Sequence, residues 1–406
     1  MDYTIRPITE DEYEAFVRQF KQAFAGDYEA EEAKLERDLI ELPRTLAAFD
    51  DADGLVGTAV AYRRDMAVPG GVLACGHVSL VSVAATHRRR GILRAMMTRL
   101  LTDLRTAGEP IAALWASEDA IYGRFGYGPA TLNVEYEADN RELSVPALTG
   151  PGRLREAAFT GLQETLAAVY EKVWRDRPGH SGRGTALWRA WQADLDSWRG
   201  GASKLRAVLH EVDGEVDGYA LFRMRKAGDA TGPKFVVEVQ EIVAVDLPAY
   251  RQLWRYLFSI DLSRTVKYPY AAVDEPLRYL VTEARRLGER VGNGIWVRVL
   301  DLPAALAARR YAAPVDVVLE VTDELLPDNA GRWRLRVDGG TGSCERTDDP
   351  AELELSAAEL GAAYLGGTSL ASLAAAGRVR ELTPGALAPT SAAFGWHKTP
   401  VSIEVF

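Results

Sequence analysis

The residues best suited to chemistry lie between positions 81 and 97, which read VSVAATHRRRGILRAMM. Arg88, Arg89 and Arg90 precede Gly91, between an apolar run of strand type and an apolar run with helical spacing. Backbone N–H groups at a helix N-terminus bind anions, and glycine allows the tight bend that brings them together. Because cations at this end of a helix oppose its dipole, the three arginines indicate a bound anion such as a diphosphate.

The surrounding elements must position this motif. YTIRPI predicts a strand, and Thr9 with Glu12 predicts a capping box before the amphipathic helix ITEDEYEAFVRQFKQAF. Asp53 and Gly54 predict a hairpin turn, and GHVSLVSVAA predicts the strand that leads to the arginines. A helix after Gly91 and the strands IAALWAS and ATLNVEYEA complete the order βαβββαβαβ.

The later chain predicts a partial repeat and a further domain. DGEVDGYALFR (213–223) matches DGLVGTAVAYR (53–63), but the strand that follows leads into DLPAYRQLWRYLF without an arginine loop. From about residue 296, strands alternate with helices rich in small residues. We therefore predict a mixed α/β (α+β) protein with three domains, at residues 1–148, 149–295 and 296–406.

Composition argues against several classes of protein. The 48 Lys+Arg and 58 Asp+Glu residues give a net charge of −10, so we expect no nucleic-acid partner. We find no apolar run of about 18 residues and no signal-peptide pattern, which predicts no membrane partner. Two distant cysteines, Cys75 and Cys344, fit a reducing cytoplasm. The five histidines show no metal-ligand spacing, so we expect no metal.

The motifs resemble those of GNAT N-acetyltransferases, which bind acetyl-CoA. More narrowly, THRRRGILRAM, ASEDAIYGRFGYGPAT, the repeat without the loop and a small third domain ending in Phe resemble the Eis (enhanced intracellular survival) acetyltransferases. The resemblance covers nearly the whole chain. It implies two tandem GNAT-type folds, the second lacking the acetyl-CoA loop, followed by a domain like the sterol carrier protein.

The resemblance implies that acetyl-CoA is the co-substrate. A strand edge would run antiparallel to the pantetheine arm, with the N–H of Val83 near the thioester carbonyl. The arginine loop would hold the pyrophosphate, and residues after the next strand would flank the cofactor. Ala85 stands where the family often has proline, which predicts a slightly less rigid loop. The implied residues are Val81, Ser82, Val83, Arg89, Arg90, Gly91, Ile92, Leu93, Arg94, Ser117 and Glu118.

The resemblance also implies the acid and the base. Tyr122 matches the general acid, since a phenol with a pKa of about 10 can protonate a thiolate, whereas we assign Tyr127 to packing. The general base would be the terminal carboxylate of Phe406, whose ordinary pKa of roughly 3.5 must rise by burial for that task. Without the resemblance, a chance position of the chain end is the simpler interpretation.

An acceptor amine is largely an ammonium and needs acidic or aromatic neighbours. The acidic candidates are Asp27 and Glu404, and solvated surface acids are the alternative interpretation. The resemblance implies acetylation of aminoglycosides, often at several amines, a link to antibiotic resistance, and a homo-hexamer. Two alternatives stay open: a protein lysine acetyltransferase, and a non-enzymatic apolar-ligand carrier or assembly module with a vestigial transferase.

Overall fold

The computed structural model describes residues 3–147 and 150–406. It contains two compact units. The first unit combines the chain up to residue 131 with residues 294–400 and 405–406, and the second contains residues 132–293 and 401–404. The predicted boundary between residues 148 and 149 falls outside the described residues.

The chain up to residue 131 follows the predicted order as far as the helix that contains Tyr122, with one additional helix at Ala30–Arg37. It ends with a short strand at Gly128–Pro129 that the sequence does not predict. The predicted capping box of Thr9 and Glu12 is present, on a short 3-10 turn that continues into the first helix. The strands are β1 (Tyr3–Arg6), β2 (Thr45–Asp50), β3 (Gly54–Val68), β4 (Gly71–Val83), β5 (Ile111–Trp115) and β6 (Gly128–Pro129). The helices are α1 (Tyr13–Ala23), α2 (Ala30–Arg37), α3 (Ile92–Thr106) and α4 (Asp119–Tyr122).

The remaining elements alternate in the same mixed manner. Strands up to residue 293 are β7 (Leu132–Asp139), β8 (Arg153–Ala158), β9 (Arg206–Val212), β10 (Glu215–Arg225), β11 (Gly228–Asp229), β12 (Gly232–Pro233), β13 (Phe235–Ala244), β14 (Ser263–Ala271) and β15 (Arg290–Asn293). Later strands are β16 (Ile295–Val299), β17 (Val315–Thr322), β18 (Gly331–Asp338), β19 (Thr341–Arg346), β20 (Leu353–Ser356) and β21 (Arg380–Glu381). The helices are α5 (Gln163–Glu171), α6 (Thr185–Ala193), α7 (Leu247–Ser259), α8 (Leu277–Leu280), α9 (Leu302–Ala308), α10 (Ala357–Ala363), α11 (Leu370–Ala375) and α12 (Leu387–Phe394).

The large sheet of the first unit has the order β1-β2-β3-β4-β5-β16-β6. Helix α3 packs on it through buried residues at helical spacing, as the sequence predicts. Helix α1 contributes buried Phe16 and Val17 to a separate cluster with Val60 of β3 and Leu80 of β4. The two helices thus bring separate apolar clusters to the strands that precede the arginine motif.

The membership of two strands differs from the predicted domains. The sequence places the strand ATLNVEYEA in the first domain, but β7 belongs to the sheet of the second unit, of order β15-β7-β14-β13-β10-β9-β8. In the first unit, β16 instead lies between β5 and β6 and pairs antiparallel with both. The difference arises because an apolar pattern predicts that a strand forms but does not identify the sheet it joins.

The chain from residue 302 forms its own sheet within the first unit, of order β19-β18-β17-β20-β21, with helices α9 to α12. Its core includes fully buried Arg309, which donates hydrogen bonds to the carbonyls of Tyr364 (2.5 Å) and Phe394 (2.7 Å) at helix ends. Helix dipoles favour a cation there. The predicted mixed α/β class is confirmed. No helix in the described residues has both the length and the apolar character to cross a membrane.

Candidate active site

The candidate site begins where two neighbouring strands separate. Strands β4 and β5 are parallel, and among the described residues their pairing runs only from Cys75 to His77 of β4. Beyond His77, β4 keeps its antiparallel partner β3 on one side, whereas β5 continues in pairing with β16. A gap therefore opens beside residues 78–83 of β4, in which an extended ligand can take the place of a strand.

A bulge shapes β4 at this gap. Leu80 and Val81 lie opposite the single residue Ala59, because Ser82 pairs with Thr58 and Ser79 pairs with Val60. Leu80 has a φ of +50°, a rare conformation for a branched residue. The Thr58 hydroxyl donates to the Leu80 carbonyl at 2.6 Å and lies 2.7 Å from the Ser82 hydroxyl oxygen. These buried contacts hold the strained residue in place.

The end of β4 presents a backbone donor to the gap. The N–H of Ala84 donates to the carbonyl of Val56 in β3 at 2.8 Å. Because successive N–H groups alternate in direction along a strand, the N–H of Val83 points away from β3. This direction fits the expected placement of Val83 beside a thioester carbonyl.

The arginine motif forms a short 3-10 turn (Ala85–His87) and a loop that ends at α3. Gly91 occupies the N-cap position of α3 with a φ of +84°, and no side chain among the described residues caps the first turn of this helix. Arg88, Arg89 and Arg94 are exposed, and none forms an ion pair with a described residue. Open N–H groups and unpaired guanidinium groups fit the diphosphate that the sequence predicts.

A cavity of about 600 Å³ joins the strand edge, the loop and α4. It contains every predicted cofactor-binding residue except Arg90. Residues that the sequence analysis did not place at the cofactor include Arg124 and Phe24, although both lie within or beside the quoted motifs. The complete lining is Ala23, Phe24, Val81, Ser82, Val83, His87, Arg88, Arg89, Gly91, Ile92, Leu93, Arg94, Ser117, Glu118, Ile121, Tyr122, Arg124 and Phe125.

Tyr122 ends α4 at the wall of this cavity and is 6% exposed. Burial raises the pKa of its phenol above the ordinary value of 10, a hydrogen bond with Ser117 opposes the rise, and the charge of Glu118 adds to it. A raised pKa keeps the proton on the phenol at neutral pH, as a general acid requires. Tyr127 is fully buried beside Tyr122, with ring centroids 6.1 Å apart, as expected of a packing residue.

The last residue also lies in the first unit. The ring of Phe406 meets the ring of His77 edge-on, with centroids 4.4 Å apart. His77 is fully buried on β4, at the point where the pairing with β5 ends. The ring of Phe406 therefore lies against the strand that carries Val81 to Val83.

The two acidic candidates for acceptor binding belong to different units. Asp27 is exposed in the loop between α1 and α2 and does not line the cavity. Glu404 is 5% exposed in the second unit and does not line the cavity, and its Oε2 accepts from Arg183 Nε at 2.7 Å. Arg183 also donates to both carboxylate oxygens of Glu241, so its fixed charge holds Glu404 inside the unit.

The second repeat has matching strands and a matching helix, but its strand β13 is followed almost directly by helix α7, without an arginine loop. Strand β13 ends at Ala244 and α7 begins at Leu247, which leaves no room for a loop. The carboxylate of Asp246 accepts from the N–H of Ala249 at 2.9 Å and so caps the helix. A negative side chain on the open N–H groups opposes an anionic ligand, consistent with the predicted loss of the site.

One side-chain group in residues 3–147 and 150–406 has the composition of a metal site. Ligand atoms of Asp50, Asp53 and His87 lie within 4.8 Å of one another. Arg90 is close enough to lower the pKa of Asp50 by its charge, and such a cation opposes the approach of a metal ion.

Three family models match the chain. Residues 4–130 and residues 179–299 each match an acetyltransferase (GNAT) domain, and residues 302–402 match a sterol carrier protein domain. These matches agree with two GNAT folds and a third domain, as the sequence predicts.

Relatives match over nearly the whole chain. An N-acetyltransferase of Streptomyces avermitilis is 46% identical and N-acetyltransferase Eis of Mycobacterium bovis is 36% identical, each over 97% of this chain and 97% of the relative. The crystal structure of Eis1 from Mycobacterium abscessus superposes with a TM-score of 0.87 at 32% identity, over 99% of this chain and 100% of that one. The chain is therefore an N-acetyltransferase that belongs to the Eis family within the GNAT superfamily.

Proposed function

We propose that this enzyme transfers acetyl from acetyl-CoA to a primary amine by direct attack, with the cavity of the first unit as its active site. One observation carries the proposal: a single cavity joins the open edge of β4, the uncapped N-terminus of α3 and the buried phenol of Tyr122. The edge suits the pantetheine amides, the helix end suits the diphosphate, and the phenol suits the leaving thiolate.

The proposed roles of the chain's own groups follow from these positions. The N–H of Val83 donates to the thioester carbonyl oxygen as negative charge develops there. The amine nitrogen bonds to the carbonyl carbon, the carbon–sulfur bond breaks, and the sulfur takes the proton of the Tyr122 hydroxyl. The ammonium first loses one proton to water, and the neutral amine that attacks gives its second proton to the carboxylate of Phe406. Water then takes that proton from Phe406 and returns a proton to the Tyr122 phenolate. The products are an acetylated amine and coenzyme A as the free thiol.

The acceptor is proposed to be a cationic amine, either an aminoglycoside acetylated at one or several positions or a lysine side chain. The relationship to Eis supports the amine class, and Asp27 in the exposed acidic loop remains a candidate to attract it. Assembly as a homo-hexamer and a role in antibiotic resistance stay predictions from the same relationship.

A thiol-release assay tests the proposal. With acetyl-CoA, we expect amine-dependent release of free thiol in a panel of aminoglycosides, polyamines and lysine peptides, and no comparable release without an amine. A chain extended by several residues after Phe406 should bind acetyl-CoA unchanged but lose turnover. Acetyl-CoA binding without thiol release for any amine would favour a carrier instead, and full activity of the extended chain would exclude the Phe406 carboxylate as base.

A further inference from the structure

The loop that precedes α3 is attached to the β2–β3 turn through a buried histidine. His87 is 3% exposed, although both residues that flank it are exposed. Its Nε2 lies 3.3 Å from Asp53 Oδ2 and 3.7 Å from Asp50 Oδ2, and its Nδ1 lies 2.9 Å from the Thr86 hydroxyl oxygen. Both ring nitrogens therefore face polar partners, of which Asp53 lies in the turn and Asp50 directly precedes it.

The carboxylate of Asp50 organises the turn itself. Its Oδ1 accepts from the N–H groups of Ala52 (2.9 Å) and Asp53 (3.2 Å). These hydrogen bonds, with the charges of His87 and Arg90, hold the pKa of Asp50 below its ordinary value. The turn thus presents a fixed, ionised surface to the loop.

The loop needs such support because part of it is strained. Arg89, two residues after His87, has a φ of +64°, which costs about 1 kcal/mol or more for a residue with a side chain. The N–H of His87 donates to the carbonyl of Ala84 at 2.8 Å, so the short turn before the arginines is also fixed. His87 is thus anchored on the N-terminal side of the strained residue, and α3 begins on its C-terminal side.

The second repeat provides an internal comparison. It has no loop between β13 and α7, and its matching hairpin turn between β9 and β10 contains only Asp213 and Gly214. The turn of the first repeat, residues 51–53, is longer by one residue and follows Asp50. The longer acidic turn therefore occurs in the repeat that has the loop.

We propose that Asp50 and Asp53, acting through His87, are positioning residues that fix the pyrophosphate loop before acetyl-CoA binds. This inference rests on the proposed function of the loop. A loop already held in its binding conformation loses less conformational entropy when it meets the ligand, so its affinity is higher.

The direction in which one substitution changes the affinity for acetyl-CoA distinguishes this positioning role from a simple effect of charge. Asp53→Asn removes a negative charge near the expected diphosphate, so charge alone predicts equal or tighter acetyl-CoA binding. Loss of the His87 partner predicts the opposite, weaker binding. Asp51→Asn in the same turn removes the same charge without touching His87 and is the matched control.

The experiment measures the acetyl-CoA Kd by calorimetry and the steady-state constants of the full-length wild type, Asp53→Asn, His87→Gln, their double variant and Asp51→Asn. We expect both single variants to raise the acetyl-CoA Kd and KM about tenfold, and Asp53→Asn to keep kcat within about twofold of the wild type. The double variant should bind acetyl-CoA no more weakly than the weaker-binding single variant. Asp51→Asn should bind as tightly as the wild type or more tightly.

Two results would overturn the inference: Asp53→Asn binding at least as tightly as Asp51→Asn, or effects of the single variants that add in the double variant. Thermal unfolding of each variant checks that the comparison is between folded proteins. If the wild type itself does not bind acetyl-CoA, the proposed function is wrong. If the wild type binds acetyl-CoA and the variants bind it with the same Kd, only the positioning role is wrong.

Discussion

At the scale of single residues, the cavity contains one tyrosine whose setting suits proton donation. Tyr122 and Tyr127 are both buried, and burial raises the pKa of both phenols above 10. Tyr122 faces the cavity and hydrogen-bonds with Ser117, whereas the Tyr127 hydroxyl has no hydrogen-bond partner among the described residues. Two neighbouring phenols with similar burial thus differ in access to a ligand.

Removing the Tyr122 hydroxyl should slow the reaction without weakening cofactor binding. For Tyr122→Phe we expect kcat to fall about 10²- to 10⁴-fold, the range of general acid catalysis, with the acetyl-CoA Kd unchanged. Since the raised pKa keeps the phenol protonated below pH 10, the wild-type kcat should show no loss from this group until the pH exceeds 10. Stopped-flow or steady-state kinetics from pH 7 to 11 would measure both.

Tyr127→Phe is the control for that substitution. It removes a buried hydroxyl that has no described partner, so we expect unchanged kcat and a gain in stability of about 1 kcal/mol. A loss of kcat in Tyr127→Phe equal to that in Tyr122→Phe would assign the effect to packing rather than to proton transfer.

At the scale of elements, the junction between β4 and α3 depends on a glycine with a left-handed backbone conformation. Gly91 has a φ of +84°, and an added Cβ would meet only the Tyr3 hydroxyl, at 3.9 Å. A side chain there is limited by backbone strain and not by crowding within the protein. Gly108, at the other end of α3, has a φ of +82° with nothing within 4 Å of an added Cβ.

The two glycines give a matched pair of substitutions. Gly91→Ala and Gly108→Ala should each lower the free energy of unfolding by about 1 kcal/mol, because alanine avoids this conformation. Only Gly91→Ala should also weaken acetyl-CoA binding, since it shifts the N–H groups at the start of α3. Parallel denaturation and binding measurements would test this, and equal losses of affinity in both variants would contradict it.

Local sequence patterns predict several elements of the first unit correctly. The helical spacing after Gly91, the capping box at Thr9 and the turn at Asp53 all follow from chemistry within a few residues. The pairing of β16 with β5 and the burial of Glu404 by Arg183 do not, because each joins segments more than 150 residues apart. The bulge at Leu80 also escapes prediction, since nothing in its local sequence marks a residue with positive φ.

At the scale of the whole molecule, the two GNAT-type folds differ at the N-terminus of corresponding helices, α3 in the first fold and α7 in the second. The first leaves the N-terminus of α3 open, and the second caps α7 with the carboxylate of Asp246. In the interior of the second unit, Arg183 forms buried ion pairs with Glu241 and Glu404. The first copy of the repeat therefore has a candidate binding site at its helix N-terminus, whereas the second copy has a capped helix and a buried ion-pair cluster.

Acetyl-CoA should therefore bind once per chain. Calorimetric titration is expected to give a stoichiometry of about one, whatever the oligomeric state, because the second repeat has no loop and a negative cap. A stoichiometry of two would show that the second repeat also binds the cofactor.

The position of β16 in the sheet of the first unit also affects the order in which this sheet can form during synthesis. The sheet that carries the candidate site is complete only after residues 295–299 have been synthesised, because β16 separates β5 from β6. At about 5–20 residues per second, roughly ten to thirty-five seconds separate the synthesis of β5 from that of its partner. During this time β5 lacks its β16 partner, so we expect the nascent first unit to expose an unpaired apolar strand edge to which chaperones can bind.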